Sequence, residues 1–183
     1  MEYDIAMIQQ TLVFKGLSTF EIKQIFDGCA FVQEFSPKEK IIEEGRVNDD
    51  LFFLPKGTVQ VELELSPVQE QQLRTLTGPI VLGEISFLDK SPRSATIRPV
   101  ENVSIYVISG RALDDLLGEM PHTGHKIKHN IALSIAGTLR RMNELLSIEM
   151  NRNQQLSRKA TAMGTRKYHQ TITNLAYHIH LSA

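Results

Sequence analysis

The sequence predicts a mainly β domain with helices at both ends. Three observations carry this. Between residues 30 and 108, short apolar runs recur, each cut off by a cluster of Gly, Pro, Ser, Asn or Asp. Residues 58–65 alternate apolar and polar side chains, the period of a half-exposed strand. Outside those limits the apolar spacing lengthens to three and four residues, which is helical.

At the N-terminus Ile5, Ile8, Leu12 and Val13 predict a short helix within residues 1–15. Ser18 and Glu21 stand at the spacing of a capping box, and Phe20, Ile22, Ile25 and Phe26 follow. A helix over 19–27 is expected, ended by Gly28. Strands are expected at 31–35, 40–42, 51–54, 58–65, 73–76, 80–82, 96–98 and 103–108. Ser36-Pro37-Lys38-Glu39, residues 45–50, Lys56-Gly57 and Gly78-Pro79 are the turns, and 66–72, with Pro67, reads as an exposed loop. So many short strands argue for a sandwich or barrel. Residues 110–119 predict a short helix through Leu113, Leu116 and Leu117. A long helix over 126–156 carries the stripe Ile127, Ile131, Ile135, Leu139, Met142, Leu146 and Met150, widened by Leu133, Ala136 and Leu145. One small β domain cannot cover so long a stripe, so a partner helix from a second copy is expected, with burial inside the chain as the other reading. Residues 155–183 are polar and basic, with a short helix expected through Tyr168, Ile172, Leu175 and Ile179.

The chain has 183 residues, enough for one domain and an appendage. No apolar run approaches the roughly 18 residues of a membrane span. The N-terminus lacks the basic start of a secretory signal, and the single Cys29 has no disulfide partner in the chain. Cytoplasmic location is the expectation, with Cys29 packing as a small apolar residue. Charge is uneven. Residues 1–125 hold 11 Lys+Arg against 19 Asp+Glu, and residues 126–183 hold 9 against 2. The basic C-terminal part fits a solvated helix surface; contact with an acidic partner is the sharper reading. Basic residues without a groove-reading element do not make a specific DNA binder.

The chemistry concentrates in residues 83–96, GEISFLDKSPRSAT. An arginine such as Arg93 can clasp two phosphate oxygens and stays charged. A short helix starting at Glu84 or Ile85 turns free N–H groups toward the same anion. Small residues after Arg93 let backbone amides approach. Glu84 would repel phosphate, so it needs a donor, for which a ribose hydroxyl is suited.

Gly83-Glu84-Ile85-Ser86, Leu88 and Pro92-Arg93-Ser94-Ala95-Thr96 together resemble the phosphate-binding cassette of the cyclic nucleotide-binding domain family. That family includes catabolite-activator-type regulators, regulatory subunits of cAMP-dependent kinase and cyclic-nucleotide-gated channels. The resemblance extends through Ile42, Gly45, Phe52, Phe53, Gly57, Val59 and Gly78, which fall where the family's β-roll has apolar and glycine positions. It implies a double-stranded β-helix, a jelly-roll-like β-roll, over 30–109. N-terminal helices would occupy 1–29, and a short helix and a long C-helix 110–156. The basic tail 157–183 would lie beyond this domain.

By the same resemblance Arg93 takes the cyclic phosphate of cAMP or cGMP and Glu84 the ribose 2′-hydroxyl. Amides around Ile85, Ser86, Ser94 and Ala95 complete the site. A threonine at 94 would have leaned to cGMP, so Ser94 leans to cAMP. Arg140-Arg141 resembles an arginine pair of the bacterial regulators, which implies that Arg141 approaches Glu84; a surface charge is the other reading. Where those regulators place Thr-Ser against adenine, this chain has Leu145-Leu146, an apolar lid that leaves the base open. The C-helix is the dimer seam in those regulators, so a homodimer is implied, read by an unidentified effector. No helix-turn-helix follows, so the chain resembles a sensor domain or a truncated regulator rather than a specific DNA binder.

Other classes fit less well. A phosphodiesterase would need metal ligands or an acid–base pair at the cassette, which has Glu84 and Asp89 but no histidine. His122, His125 and His129 suggest a solvated helix entry rather than a metal site, with Gly124 breaking any helix there. No nucleophile triad, P-loop or cysteine pair is present, so neither an enzyme nor a resident cofactor or metal is expected. A scaffold with an empty pocket is the remaining class. An unpaired buried Arg93 would argue against it.

Overall fold

The structure is a computed structural model that describes residues 3–66 and 69–180. Within these, the side chains of 64–66, 69–73, 149 and 156–180 lie outside the description. Helices α1 (Ile5–Gln10) and α2 (Thr19–Cys29) precede strands β1 (Ala30–Phe35), β2 (Leu51–Leu54), β3 (Thr58–Ser66), β4 (Gln69–Thr77) and β5 (Ile80–Leu82). Then come α3 (Glu84–Asp89), β6 (Thr96–Pro99), β7 (Val103–Ile108), α4 (Gly110–Glu119) and α5 (Pro121–His180). The strands form two antiparallel sheets, ordered β1-β7-β2-β5 and β4-β3-β6. The fold is mainly β with flanking helices and a long C-terminal helix, as expected.

Alternation along the central strands separates two apolar cores. Phe52, Leu54, Val59, Val61, Leu82, Ile97, Ile105 and Val107 fill the interior between the sheets. Phe53 and Ile108, one residue out of phase on β2 and β7, face the other way. There they meet Phe14, Ile25 and Phe26 of the N-terminal segment, Leu113 and Leu117 of α4, and Ile127 and Ile131 of α5. Phe26 packs edge-on against Phe14, Phe53 and Tyr106. The capping box forms: Glu21 N donates to Ser18 Oγ at 3.2 Å, and Ser18 N to Glu21 Oε2 at 2.7 Å. Cys29 is buried, which pushes its thiol pKa up.

Several boundaries differ from the sequence reading. Gly28 lies inside α2, which runs to Cys29. Ile41 and Ile42 are buried but form no strand; Ile42 makes only an isolated bridge with Ile97. The expected loop at 66–72 is mostly strand, because β3 runs to Ser66 and β4 starts at Gln69; Pro67 and Val68 lie outside the described residues. The last helix begins at Pro121, whose fixed φ and missing N–H suit a first helical position. Gly124 does not break it. A Cβ there would sit 3.3 Å from both Cβ and O of Leu117, so Gly124 permits close approach of α4. The helix continues to His180, through the segment read as a polar tail. The side chains of Tyr168, Ile172, Leu175 and Ile179 lie outside the described residues.

The chain divides into two compact units, Met1–Ala136 and Gly137–Ala183. The first holds the sheets, both cores and the start of α5. The second is helical to His180. Its described surface carries Leu139, Met142, Leu145, Leu146, Ile148 and Met150, all exposed. Among the described residues no helix is long and apolar enough to cross a membrane.

Candidate functional site

β5 delivers the chain to Gly83, which has φ 84° and is the N-cap of α3. Two constraints demand glycine. The left-handed backbone is one, and the other is space: a Cβ would lie 2.5 Å from Arg93 Nη1 and 2.9 Å from Asp50 O. Glu84 then opens α3, as the sequence predicts. Phe87 N donates to Gly83 O at 3.3 Å, so the amides of Glu84, Ile85 and Ser86 form the first turn, ahead of any helical acceptor. Buried Phe87 and Ser86 anchor α3, while Ile85 remains 39% exposed.

Arg93 is only 4% exposed. Its Nη1 donates to Gly83 O at 3.0 Å, and its Nη2 to Asp50 O at 2.7 Å and to Asn48 Oδ1. Its backbone is held on both sides, N to Arg46 O at 2.9 Å and O from Gly45 N at 2.8 Å. The guanidinium lies 5.4 Å from the Phe52 ring centre. Burial pulls its pKa down, and Asp50, Asp49 and Glu84 oppose that. These partners correct one expectation: Arg93 is not an unpaired buried charge when no anion is bound. Three of its five N–H donors are engaged.

Glu84 is half-buried. Burial raises its pKa above the ordinary 4.5; its own backbone N–H and the nearby charges of Arg74 and Arg93 pull the other way. Gly83, Glu84, Ile85, Ser86 and Arg93 thus lie together. Ser94 is exposed and Ala95 half-buried in the bend that leads to β6. In the second unit Arg141 donates from Nη2 to Thr138 Oγ1 at 3.1 Å, and Leu145 and Leu146 are exposed.

The family model that matches this chain is the Cyclic nucleotide-binding domain, over residues 32–120. Residues 32–120 belong to the cyclic nucleotide-binding domain family. The matched region holds the whole 83–96 cassette, both sheets and α4. Potassium channel KAT3 of Oryza sativa subsp. japonica is 30% identical over 125 residues, 68% of this chain and 24% of that protein. A cGMP-dependent protein kinase of Toxoplasma gondii is 31% identical over 100 residues, 55% of this chain and 10% of that protein. The chain therefore spans a small part of these curated relatives. The crystal structure of Thermus thermophilus catabolite activator protein superposes with a TM-score of 0.63 at 23% identity, covering 75% of this chain and 62% of that one. At that identity the likeness concerns the fold, a β-roll.

The sequence reading of this cyclic nucleotide-binding domain placed a turn at 45–50 but missed that its residues 48 and 50 hold Arg93. Asn48 Oδ1 accepts from Arg93, and its Nδ2 donates to Asp50 Oδ2 at 2.8 Å. Asp50 Oδ1 accepts from Gly110 N at 2.9 Å, at the start of α4. Lys90, the C-cap of α3, reaches Asp49 at 2.7 Å and Asp114 of α4. Polar residues in a turn gave no sign of these partners, which are 41 to 60 residues away. Cavity size is a poor guide here. A cavity of about 700 Å³ lies elsewhere, lined by Tyr3, Met7, Phe53, Lys56, Glu101 and Tyr106 among others. The site is defined by its donors and charges.

His125 and His129 stack at 6.3 Å on α5, and no cluster able to hold a metal occurs among the described residues.

Proposed function

We propose that this chain is a regulatory sensor that binds a 3′,5′-cyclic mononucleotide and performs no chemistry on it. The observation that carries the reading is the buried Arg93 guanidinium, held against Gly83 O beside the ionisable Glu84. Phosphate takes the donors that Arg93 has left and displaces Asn48, its one side-chain acceptor. Amides at Ile85, Ser86, Ser94 and Ala95 add neutral donors. Glu84, acceptor-only when ionised, takes the ribose 2′-hydroxyl. Residues 1–156 are the ligand module in this reading, and 157–183 its basic extension.

Signalling follows as a population shift. The ligand favours the state in which α5 is docked, with Arg141 paired to Glu84 and Leu145 and Leu146 as apolar cover. A homodimer through α5 transmits that state to an effector in the cytoplasm, without specific DNA reading by this chain.

Calorimetric titration with cAMP and with cGMP tests the sensor. Saturable binding of one ligand per chain is expected. Arg93→Ala should weaken it by about 2–5 kcal/mol, the range for removing one partner of a buried charged pair. The internal partners of Arg93 favour a second reading, a scaffold whose pocket stays empty. Neither heat nor a thermal shift with either nucleotide would select that scaffold.

A further inference from the structure

We infer that the Asn48 side chain is a built-in competitor of the ligand's phosphate for Arg93, and that it sets how tightly and how fast the sensor binds. This rests on the sensor reading above and concerns the regulation of that same site. A guanidinium carries five N–H donors in a fixed fork. Two of its edges present parallel pairs that suit a phosphate, Nε with Nη2 and Nη1 with Nη2. Nη2 belongs to both. In this chain the two hydrogens of Arg93 Nη2 face two acceptors, Asp50 O at 2.7 Å and Asn48 Oδ1. Nη1 donates to Gly83 O at 3.0 Å. While Asn48 stays, no edge of Arg93 is free to clasp two phosphate oxygens.

Of these three acceptors only Asn48 can leave easily. Gly83 O and Asp50 O are main-chain atoms, one at the cap of α3 and the other immediately before β2. Asn48 is exposed, and rotation of its side chain takes the amide away from Arg93. The amide is nevertheless held in place. Its Oδ1 also accepts from Asp50 N at 3.0 Å, and its Nδ2 donates to Asp50 Oδ2 at 2.8 Å. Asp50 Oδ1 in turn accepts from Gly110 N at 2.9 Å. The turn thus keeps the amide oxygen on the guanidinium before any ligand arrives. Arg93 is buried, and a hydrogen bond to a charged group shifts an equilibrium by roughly ten- to a hundredfold.

The unliganded site then has a closed form, with Asn48 on Arg93, and an open form, which phosphate binds. Apparent affinity falls by the open fraction. An exposed side chain rotates within nanoseconds, so the two forms equilibrate before a ligand arrives and the same fraction multiplies the association rate. Dissociation starts from a complex in which Asn48 is already off Arg93, so its rate carries no such factor. The competition is for phosphate, which cAMP and cGMP share, so both should respond alike. An Asn48 that only shaped the turn would act in the opposite sense: its loss would loosen Asp50 O, the other partner of Nη2, and weaken binding.

The test is calorimetry, with surface plasmon resonance for the rates, of the full chain with cAMP and with cGMP, for wild type, Asn48→Ser and Asn48→Asp. Serine keeps an oxygen for the Asp50 amide but withdraws it from Arg93 Nη2. Asn48→Ser should tighten both nucleotides by about tenfold, through faster association at unchanged dissociation. Asn48→Asp, whose carboxylate grips Arg93 harder, should weaken both by at least as much. Asn48 is exposed, so thermal melts should show both variants folded. Binding seen only in Asn48→Ser would support the inference as the extreme of the same competition. An Asn48→Ser that binds no tighter than wild type, a gain that lies in slower dissociation, or an Asn48→Asp that binds more tightly would each overturn the inference while leaving the sensor standing. No saturable binding of either nucleotide by any of the three proteins would overturn both.

Discussion

Glu84 is a carboxyl that must lose its proton to act. In the free protein burial raises its pKa above 4.5, against the pull of Arg74 and Arg93. Its stability contribution is therefore present below the unfolded value and is lost as pH rises through the higher native value. Ligand reverses that preference, because a ribose 2′-hydroxyl donates to the ionised form. Binding then releases a proton in the window between the two states, and affinity should rise with pH there by up to about tenfold per unit. Above the free-state pKa it should level off. Titrations of a ribonucleotide and its 2′-deoxy analogue, from the carboxylate range up to neutrality, check this. The ribonucleotide should show the slope and the deoxy analogue none, and Glu84→Gln should abolish it. Equal slopes for both ligands would remove Glu84 from the ribose.

Among the elements, the junction of α2 with α5 rests on another carboxylate. Glu21 is buried, which by itself would raise its pKa. Thr123 Oγ1 at 2.7 Å, the Ser18 amide at 2.7 Å and Lys126 at 3.2 Å outweigh that and hold it at about 2. A depressed native pKa gives stability that is present above the unfolded 4.5 and lost as pH falls toward 2. The difference corresponds to about 3 kcal/mol. Glu21→Gln should therefore lower Tm at neutral pH and flatten the acid limb of the stability curve, as thermal melts across pH would register; an unchanged acid limb would place the loss of stability elsewhere.

The sequence made half of this junction legible. Ser18 and Glu21 are three residues apart, and a capping box is a local pattern. Thr123 and Lys126 lie 102 and 105 residues away from Glu21, where spacing says nothing. The cassette divides the same way. Gly83, Glu84 and Arg93 were visible from type and order. Asn48 and Asp50 became partners of Arg93 only through the fold. The strand ends at 66 and 69 were hidden for a related reason: pairing to a neighbour lengthens a polar segment that propensity alone would leave as a loop.

At the scale of the whole molecule, α5 carries two opposing signals about self-association. Leu139, Met142, Leu146 and Met150 recur every three or four residues and are 48% to 63% exposed, a stripe that favours a second copy of the same helix. Yet residues 126–183 hold 9 Lys+Arg against 2 Asp+Glu, so two copies brought together along α5 repel. The apolar term is nearly indifferent to salt at moderate ionic strength. The repulsion is not, because exposed charges are screened within about 8 Å at physiological ionic strength. Dimerisation should therefore tighten as salt rises, the reverse of an interface built on ion pairs. Sedimentation across a salt series should show the dimer fraction growing, and Leu139→Lys with Leu146→Lys should give a monomer at every salt concentration. Both positions lie on the exposed second-unit surface, so the β-roll of that variant should still melt cooperatively. A dimer that weakens with salt, or one that survives both lysines, would move the interface off the stripe.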